Sequence, residues 1–440
     1  MATLGVIGLL IAIVFLIVGA FKGLGALPLT MISAFIVIIF NGMSVWDSFS
    51  EFYIGGYAGA YTSYLLLFMF SALYAKIMNE TKCATTIGYK LVDWFGKKNV
   101  ILISVLITAI LTYGGVSMFV VIFAVGPIMF VLFKEANLPR HLTLGCLALG
   151  GGTFTMTCLP GSPQLTNVIP TSFLNTSLTA APVLGIICAA AIFAIGMFYL
   201  KRAEKKAIAA KETFTFPKGY NEALLDINRD ECPSAIKAFI PPVLLVVIIL
   251  VGSKFMENAT ELSVIAMIVG CIAAVVLNFD KMKGIDPKNL LSVGLNDGIA
   301  AIGGLAAVIG FGTVTQHSGG FEIIVNAVLG LDLSPYFKGV LSTAAIAGIT
   351  GSSSGGLRIM LQSMGDYFIN SGCNLEVLHR ICAIAAGSLD SLPHASAIFL
   401  QLAALGLTHK EAYKHMFITT VVAPGVVAIG AALVCTVIGF

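Results

Sequence analysis

Four short polar segments interrupt the longest apolar runs of the chain, and their residue types suit the binding of a small anion. Two of them are glycine-rich turns, with the sequences Tyr113-Gly114-Gly115-Val116-Ser117 and Gly351-Ser352-Ser353-Ser354-Gly355-Gly356. The other two contain a Leu-Pro pair and cover residues 150–163 and 387–394. Glycine permits turn conformations and proline ends a helix, so these segments free backbone amides and carbonyls. Helix N-termini beside such breaks carry partial positive charge and favour an anion, whereas freed carbonyls and hydroxyls suit a cation.

The side chains at these segments are mostly small and neutral. The residues that we expect to contact a ligand are Gly114, Gly115, Ser117, Thr155, Thr157, Gly161, Ser162, Ser352, Ser353, Ser354, Gly355 and Ser391. Each hydroxyl has an alternative role, which is to cap the half-helix beside it. Together these residues predict a binding site for a small polar anion.

Three ionisable side chains lie near the breaks, and each has a functional and a structural interpretation. Asp390 costs about 2.5–3.5 kcal/mol inside a membrane helix, so it is expected to carry a proton or bind a coupling cation. Its alternative role is to accept hydrogen bonds that hold the unwound loop. His394 would donate to a substrate carboxylate or relay a proton, or else cap the loop. Arg358 would clamp a carboxylate, neutralise Asp390 or Asp366, or extend towards the outer surface.

The composition excludes most soluble classes of protein. Of 440 residues, 58% are hydrophobic and 11% are charged, whereas a soluble domain has about 25% charged residues. A cytosolic enzyme, a nucleic-acid-binding protein and a disordered chain are therefore excluded. The nine cysteines form no CxxC pair and suggest neither disulfides nor a metal site. No nucleophile–base pair or HExxH motif is present in the breaks, so we expect neither an enzyme nor a cofactor beyond a coupling H⁺ or Na⁺.

The apolar runs predict an all-α polytopic membrane protein, since about 20 apolar residues cross a bilayer as a helix. Candidate spans are residues 3–21, 27–44, 61–79, 140–168, 180–200, 236–253, 260–279, 292–316, 378–404 and 411–438. Two of these, 140–168 and 378–404, are broken helices. Residues 99–133 and 336–372 are each interrupted near the middle, which favours re-entrant hairpins over ordinary short helices joined by a loop.

Basic residues predict the orientation. Most of the 25 Lys and Arg residues fall on loops that share one side of this layout, and the opposite side keeps Lys254, Lys338 and Arg380. The basic side is expected to be cytoplasmic, which places both termini outside.

The two halves of the chain follow the same order of elements and predict an inverted repeat. Each half has a span, an amphipathic stretch (82–96 or 319–330), a hairpin and a broken helix. The hairpins open from opposite sides, as in many secondary transporters. The predicted divisions are an extra span at 1–26, a first repeat at 27–200, a cytoplasmic linker at 201–235 and a second repeat at 236–440.

Three motifs resemble the gluconate permease (GntP) family, particularly its D-β-hydroxybutyrate-permease-like branch. They are residues 152–163, the turn 351–356, and residues 389–394 together with 406–411. The resemblance implies the ion transporter superfamily, proton- or cation-coupled carboxylate symport, a homodimer and an elevator motion in a bacterial inner membrane. The sequence departs from the family pattern at Arg358 and at residues 394–396. These departures affect the prediction of the substrate and leave the class of transporter unchanged.

These observations predict a secondary active importer, favouring proton coupling, for a small monocarboxylate or hydroxy acid such as gluconate or 3-hydroxybutyrate. The hairpins and broken helices would move, and spans 27–44 and 236–279 would form the dimer scaffold. The expected partners are the organic anion, the lipid bilayer and a second copy of the chain, and no nucleic acid. Two alternatives remain, a sodium-coupled dicarboxylate or citrate transporter and a channel.

Overall fold

The computed structural model describes residues 2–217, 229–252, 255, 256 and 258–439, and every regular element within these ranges is a helix. Helices satisfy their backbone hydrogen bonds internally, which is what a lipid environment demands. Across the described ranges, seven helices are long and apolar enough to cross a membrane. The prediction of an all-helical polytopic membrane protein is confirmed.

The first half of the chain forms ten helices within the described residues. They are α1 (Ala2–Phe21), α2 (Ala26–Phe40), α3 (Val45–Asp47), α4 (Ile54–Glu80), α5 (Cys83–Phe95), α6 (Val100–Tyr113), α7 (Met118–Glu135), α8 (Leu142–Gly152), α9 (Leu165–Leu174) and α10 (Pro182–Ala209). A π-helical segment at Ser48–Tyr53 joins α3 to α4, and a second at Phe154–Cys158 follows α8.

The described part of the second half also forms ten helices. They are α11 (Ala235–Gly252), α12 (Ala259–Leu277), α13 (Pro287–Gln316), α14 (Gly319–Leu329), α15 (Pro335–Thr350), α16 (Ser353–Asn370), α17 (Leu375–Leu389), α18 (Ser396–Ala404), α19 (His409–Met416) and α20 (Ala423–Ile438). A π-helical segment at Phe417–Val422 makes α19 and α20 continuous. Lys254, assigned to the outer side by charge, lies outside the described residues.

Two predicted spans differ in length from the helices that form. The span predicted at 61–79 is the end of a continuous helix, Val45–Glu80, of 36 residues. Its first part is less apolar than a lipid-facing helix, and tertiary packing rather than hydropathy determines where it begins. The span predicted at 27–44 is the 15-residue α2, about 22 Å long at 1.5 Å per residue and so shorter than the hydrocarbon core of about 30 Å.

The pair α4 and α13 packs more extensively than any other pair of helices. Their backbones approach closely at Gly298, where an added Cβ would lie 2.5 Å from the Cα of Met69. Small residues at helix contacts allow such close approach in membrane proteins. This pair forms a continuous wall beside which the interrupted helices lie.

The helices α15 and α16 form an antiparallel hairpin. Near the turn, a Cβ placed on Gly356 would lie 2.4 Å from the Cα of Ala347. At the other end, a Cβ on Gly339 would lie 3.9 Å from the Cζ of Phe368. The helices α6 and α7 are joined by the four residues 114–117, where Gly115 has a φ of +92°.

The amphipathic stretch predicted at 82–96 forms α5, which meets the helix that follows at an angle of 103°. The end of the linker is attached to it, since Arg229 pairs with Asp93 at 3.1 Å and Lys82 pairs with Glu231. The hydrogen bond from Lys82 lowers the pKa of the exposed Glu231 carboxyl below its ordinary value. Trp94 is exposed on α5, as expected for a residue at a membrane interface.

The close contact of α4 with α13 predicts a difference between two glycine substitutions. We expect Gly298→Ala to lower the free energy of unfolding by about 1–3 kcal/mol, because the added methyl group overlaps the Met69 backbone. The matched control is Gly365→Ala in α16, where an added Cβ meets nothing within 4 Å. Thermal unfolding of both purified variants in detergent checks this, and equal melting temperatures would contradict it.

Candidate functional site

A cavity of about 240 Å³ lies where the four polar interruptions meet. The sequence-predicted residues that line it are Gly115, Ser117, Ser352, Ser353, Ser354, Asp390 and Ser391. The opposite wall comes from α4 and α13 and includes Leu67, Leu305 and Val308. The cavity is therefore polar on the side of the interruptions and apolar on the side of the continuous helices.

Four helices begin at the wall of this cavity. The first residues of α7, α9, α16 and α18 line it, and these are Met118, Leu165, Ser353 and Ser396. The first turn of a helix has backbone amides without intrahelical partners and carries partial positive charge. Within the described part of the lining there is no Lys or Arg, so helix termini and hydroxyls supply its positive polarity.

Asp390 provides a carboxylate at this wall, at the end of α17. It is half-buried, and the Ser391 hydroxyl donates to its Oδ1 at 2.9 Å. The Tyr413 hydroxyl donates to the Ser391 carbonyl at 2.8 Å and so holds the loop in place. A carboxylate beside a cluster of helix N-termini can bind a proton or a cation next to an anion.

The hydroxyls of the first break bond mainly to their own chain. Thr155 donates to the Gly150 carbonyl at 2.6 Å, and Thr157 donates to the Thr153 carbonyl at 2.9 Å. Ser162 is fully buried, and its hydroxyl has no partner in the part of the chain that the structure describes. None of these three side chains lines the cavity.

The remaining predicted residues also lie outside the cavity wall. They are Gly114, Gly161, Gly355, Arg358 and His394. Arg358 is exposed on α16 and makes no hydrogen bond or ion pair with the residues that the structure describes. The Gly161 amide donates to the Leu178 carbonyl at 2.9 Å, and its φ of +80° is one that glycine readily adopts.

His394 links the second break to the second hairpin. It is fully buried, and its Nε2 lies 2.9 Å from the Gly348 carbonyl of α15. Because a carbonyl only accepts, Nε2 carries the hydrogen in this bond. The geometry matches the capping role that the sequence left open for this histidine.

Gln164 makes the equivalent link in the first half, and the sequence analysis missed it. Its side-chain amide donates to the Thr112 carbonyl at 2.7 Å and to the Val116 carbonyl at 3.1 Å. It also lines the cavity. In each half, one polar side chain of the break thus binds carbonyls of the neighbouring helix pair.

The charge count assigned Arg380 to the outer side and did not predict its burial. The structure shows that Arg380 is fully buried and donates to the carbonyls of Thr157 at 3.2 Å and Ala180 at 2.9 Å. The first break leaves carbonyls without helical partners, and a guanidinium supplies five donors to satisfy them. The signal available in the sequence was that Arg380 falls inside the predicted broken span 378–404.

His379 extends this contact between the halves. Its Nδ1 lies 2.7 Å from the Thr176 hydroxyl and its Nε2 lies 3.2 Å from Oδ1 of Asn167. The Asn167 amide in turn donates to the carbonyls of Ser162 and Leu178, both at 2.8 Å. The broken helix of the second half therefore supports the break of the first half.

Among the described residues, no group of three or more His, Cys, Asp or Glu side chains could hold a metal ion. The chemistry that the site offers is hydrogen bonding to an anion, with a carboxylate able to take up a small cation. A polytopic helical protein whose interrupted helices enclose such a cavity has the architecture of a membrane transporter.

Comparison with known proteins identifies the family. The family model described as GntP family permease matches residues 2–438, and the chain belongs to this family. It is 33% identical over 458 aligned positions to the uncharacterized transporter YxjC of Bacillus subtilis (strain 168), covering 94% of this chain and 95% of that protein. The resemblance drawn from the three motifs is confirmed, and the chain is a multi-pass membrane transporter.

The buried hydrogen bonds of Arg380 predict a strong effect on stability. We expect Arg380→Met to lower the melting temperature, because each carbonyl left without a donor costs about 1–3 kcal/mol. The control is Arg358→Met, an exposed position that should change stability by less than about 0.5 kcal/mol. Thermal unfolding followed by size-exclusion chromatography checks both variants, and an unchanged melting temperature for Arg380→Met would contradict the structural role.

Proposed function

We propose that the protein is an ion-coupled secondary transporter that imports a small organic monocarboxylate or hydroxy acid, with the proton as the favoured coupling ion. One observation carries the proposal: four helix N-termini and a set of serine hydroxyls meet at a cavity that also contains Asp390. The amide ends and the hydroxyls suit a carboxylate and its hydroxyl groups. Asp390 suits the ion that accompanies it.

The size and charge of the cavity favour a small substrate with a single negative charge. A volume of about 240 Å³ is below the range of about 300–1,000 Å³ that is typical of pockets for drug-sized ligands. Without a lysine or arginine in the described lining, the helix termini have only partial charges to offset the substrate. Two carboxylates would need more compensation. Gluconate and 3-hydroxybutyrate are the candidates that the family resemblance suggests.

Electrostatics provides a mechanism for coupling. An ionised Asp390 repels a carboxylate bound in the same cavity, and a proton or a cation on Asp390 removes that repulsion. The ion and the anion then favour each other's binding, and linkage makes the effect reciprocal. A symporter requires this kind of coupling, because the substrate and the ion must cross together.

The movement and the assembly of the protein are also part of the proposal. The hairpins and broken helices would travel as one elevator domain, supported by the contacts of Arg380, His394 and Gln164 between its parts. We propose an inverted repeat, a homodimer built on spans 27–44 and 236–279, and a location in the bacterial plasma membrane with both termini outside. Exposed apolar residues on α11, including Ile236 and Val243, are consistent with a surface that faces lipid or a second copy.

The coupling role of Asp390 predicts a selective loss of function. We expect Asp390→Asn to abolish accumulation driven by a proton gradient, because the amide does not ionise and so cannot bind and release a proton, while the purified protein stays folded. The control is Asp366→Asn, an exposed carboxylate on α16, which should retain uptake. Uptake into proteoliposomes checks this, and accumulation by Asp390→Asn at the wild-type level would refute the coupling role.

The substrate class is tested by the effect of ligands on thermal stability. We expect gluconate or 3-hydroxybutyrate to raise the melting temperature, since a ligand at a hundred times its Kd adds about 2.7 kcal/mol to stability. A shift produced by citrate or another dicarboxylate that requires Na⁺ would favour the sodium-coupled alternative. A flux that does not saturate with concentration would favour a channel.

A further inference from the structure

A chain of hydrogen-bonded titratable groups lies beyond the cavity, at the opposite end of α8. The Glu212 carboxylate is 2.7 Å from His141 Nε2, and His141 Nδ1 is 2.9 Å from His415 Nε2. The chain ends at the Tyr199 hydroxyl, 3.1 Å from His415 Nδ1. The two imidazole rings are nearly parallel, with 13° between their planes.

The chemistry of these groups fixes the direction of every bond when the chain holds no extra proton. A carboxylate only accepts, so His141 Nε2 carries the hydrogen and Nδ1 of the neutral ring is an acceptor. His415 Nε2 must then donate to it, and His415 Nδ1 accepts the hydrogen of Tyr199. The hydrogen bonds therefore all point from Tyr199 towards Glu212.

One added proton reverses the bond between the rings. When the added proton binds His415 Nδ1, the hydrogen of His415 Nε2 passes to His141 Nδ1, so His141 becomes the charged ring and donates to His415 Nε2. His415 Nδ1 then donates to the Tyr199 oxygen. With a second added proton, His141 Nδ1 and His415 Nε2 would both carry hydrogens, and neither could accept the bond between the rings. The geometry of the pair therefore accommodates one added proton and not two.

The chain begins at water and lies beside two helices, α8 and α19, that contribute residues to the cavity wall. Its own four groups are not among the lining residues that the structure describes. Glu212 has 46% of its side chain exposed, whereas His415 and Tyr199 are half-buried. Met416, the residue after His415, lines the cavity, as does Ala148 of α8. The His415 Cβ lies 3.0 Å from where a Cβ on Gly145 would be, so α19 and α8 are in direct contact at this point.

Other charged and titratable groups surround the chain on the elements that pack against it. On α8 and just before it they are Arg140 and Cys146, on α10 and after it they are Lys201, Arg202, Glu204, Lys205, Lys206 and Lys211, and on α19 they are Lys410, Glu411, Tyr413 and Lys414. Glu204 pairs with Lys201 at 2.9 Å, and Arg140 donates to the Leu405 carbonyl at 3.1 Å. Glu212 is the carboxylate in contact with the imidazole pair among the described residues.

We propose that Glu212, His141, His415 and Tyr199 form a relay that binds one proton and passes it between the Tyr199 hydroxyl on α10 and the Glu212 carboxylate at the aqueous phase. The relay rests on the proposed function, because it gives the coupled proton an exit on the side of linker 201–235, which the basic residues predict to be cytoplasmic. It is a different site from Asp390, and its groups act on the proton without touching the substrate.

The first experiment measures the relay without any substrate. Histidines labelled with ¹³C at Cε1 in the purified full-length protein are titrated by NMR, with His415→Gln and Tyr199→Phe as variants. We expect the His141 and His415 signals to titrate with a common midpoint, and His415→Gln to change the midpoint of His141. Independent titrations that neither substitution alters would overturn the relay.

The second experiment separates proton release from substrate binding. Net uptake driven by a proton gradient requires the proton to leave, whereas counterflow exchange of substrate does not. We expect His415→Gln to reduce net uptake about tenfold or more and to keep counterflow within about twofold of wild type. Tyr199→Phe provides a second variant in case the first does not fold.

The control is His317→Gln, the same substitution at an exposed histidine that stacks on Phe52 at 4.1 Å and has no histidine partner among the described residues. It should behave as wild type in both experiments. Net uptake by His415→Gln equal to wild type, or an equal loss of uptake and counterflow in folded protein, would overturn the relay. A wild-type protein that fails to accumulate any hydroxy acid would instead refute the proposed function, and the NMR titration would still decide whether the relay exists.

Discussion

Backbone carbonyls that lose their helical partners inside a membrane must find other hydrogen-bond donors, and the rest of this structure depends on that constraint. Breaks at the cavity are possible only because side chains replace the missing bonds. Arg380 meets the carbonyls of the first break, Gln164 meets those of the first turn, and His394 meets the second hairpin. The cavity therefore requires these buried polar residues, because they supply the donors that the interrupted helices lack.

The same breaks create the electrostatics of the cavity. Four helices begin at this cavity, so the amide groups of their first turns give it a partial positive charge without a basic side chain in the described lining. When Asp390 is ionised, it is a full negative charge among partial positive ones. The gain or loss of one proton at this carboxyl group therefore alters the charge balance of the whole cavity.

The sequence was most informative where the cause of a structure is local. Glycine and proline interrupt helices through their own backbone chemistry, so the breaks and turns lie close to where the pattern predicts them. Arg380 could not be located this way, because its partners lie in the other half of the chain. The helix beginning at Val45 was also missed, since its stability comes from packing on α13. The sequence could not show that the hydroxyls of Thr155 and Thr157 bond carbonyls of their own segment. A threonine in a break looks the same in the sequence whether its hydroxyl binds the backbone or a ligand.

The bonds of Arg380 also have a consequence for biosynthesis. The Thr157 carbonyl in the first break and its donor Arg380 are 223 residues apart, so the break is synthesised long before the group that binds it. Synthesis proceeds at about 5–20 residues per second, so this stretch of chain takes tens of seconds to make. During that time the first half lacks the donor for its break. The Thr157 carbonyl lacks its Arg380 donor until α17 has been synthesised. The first break therefore depends on the second half for this hydrogen bond, and a chain cut between the halves lacks it.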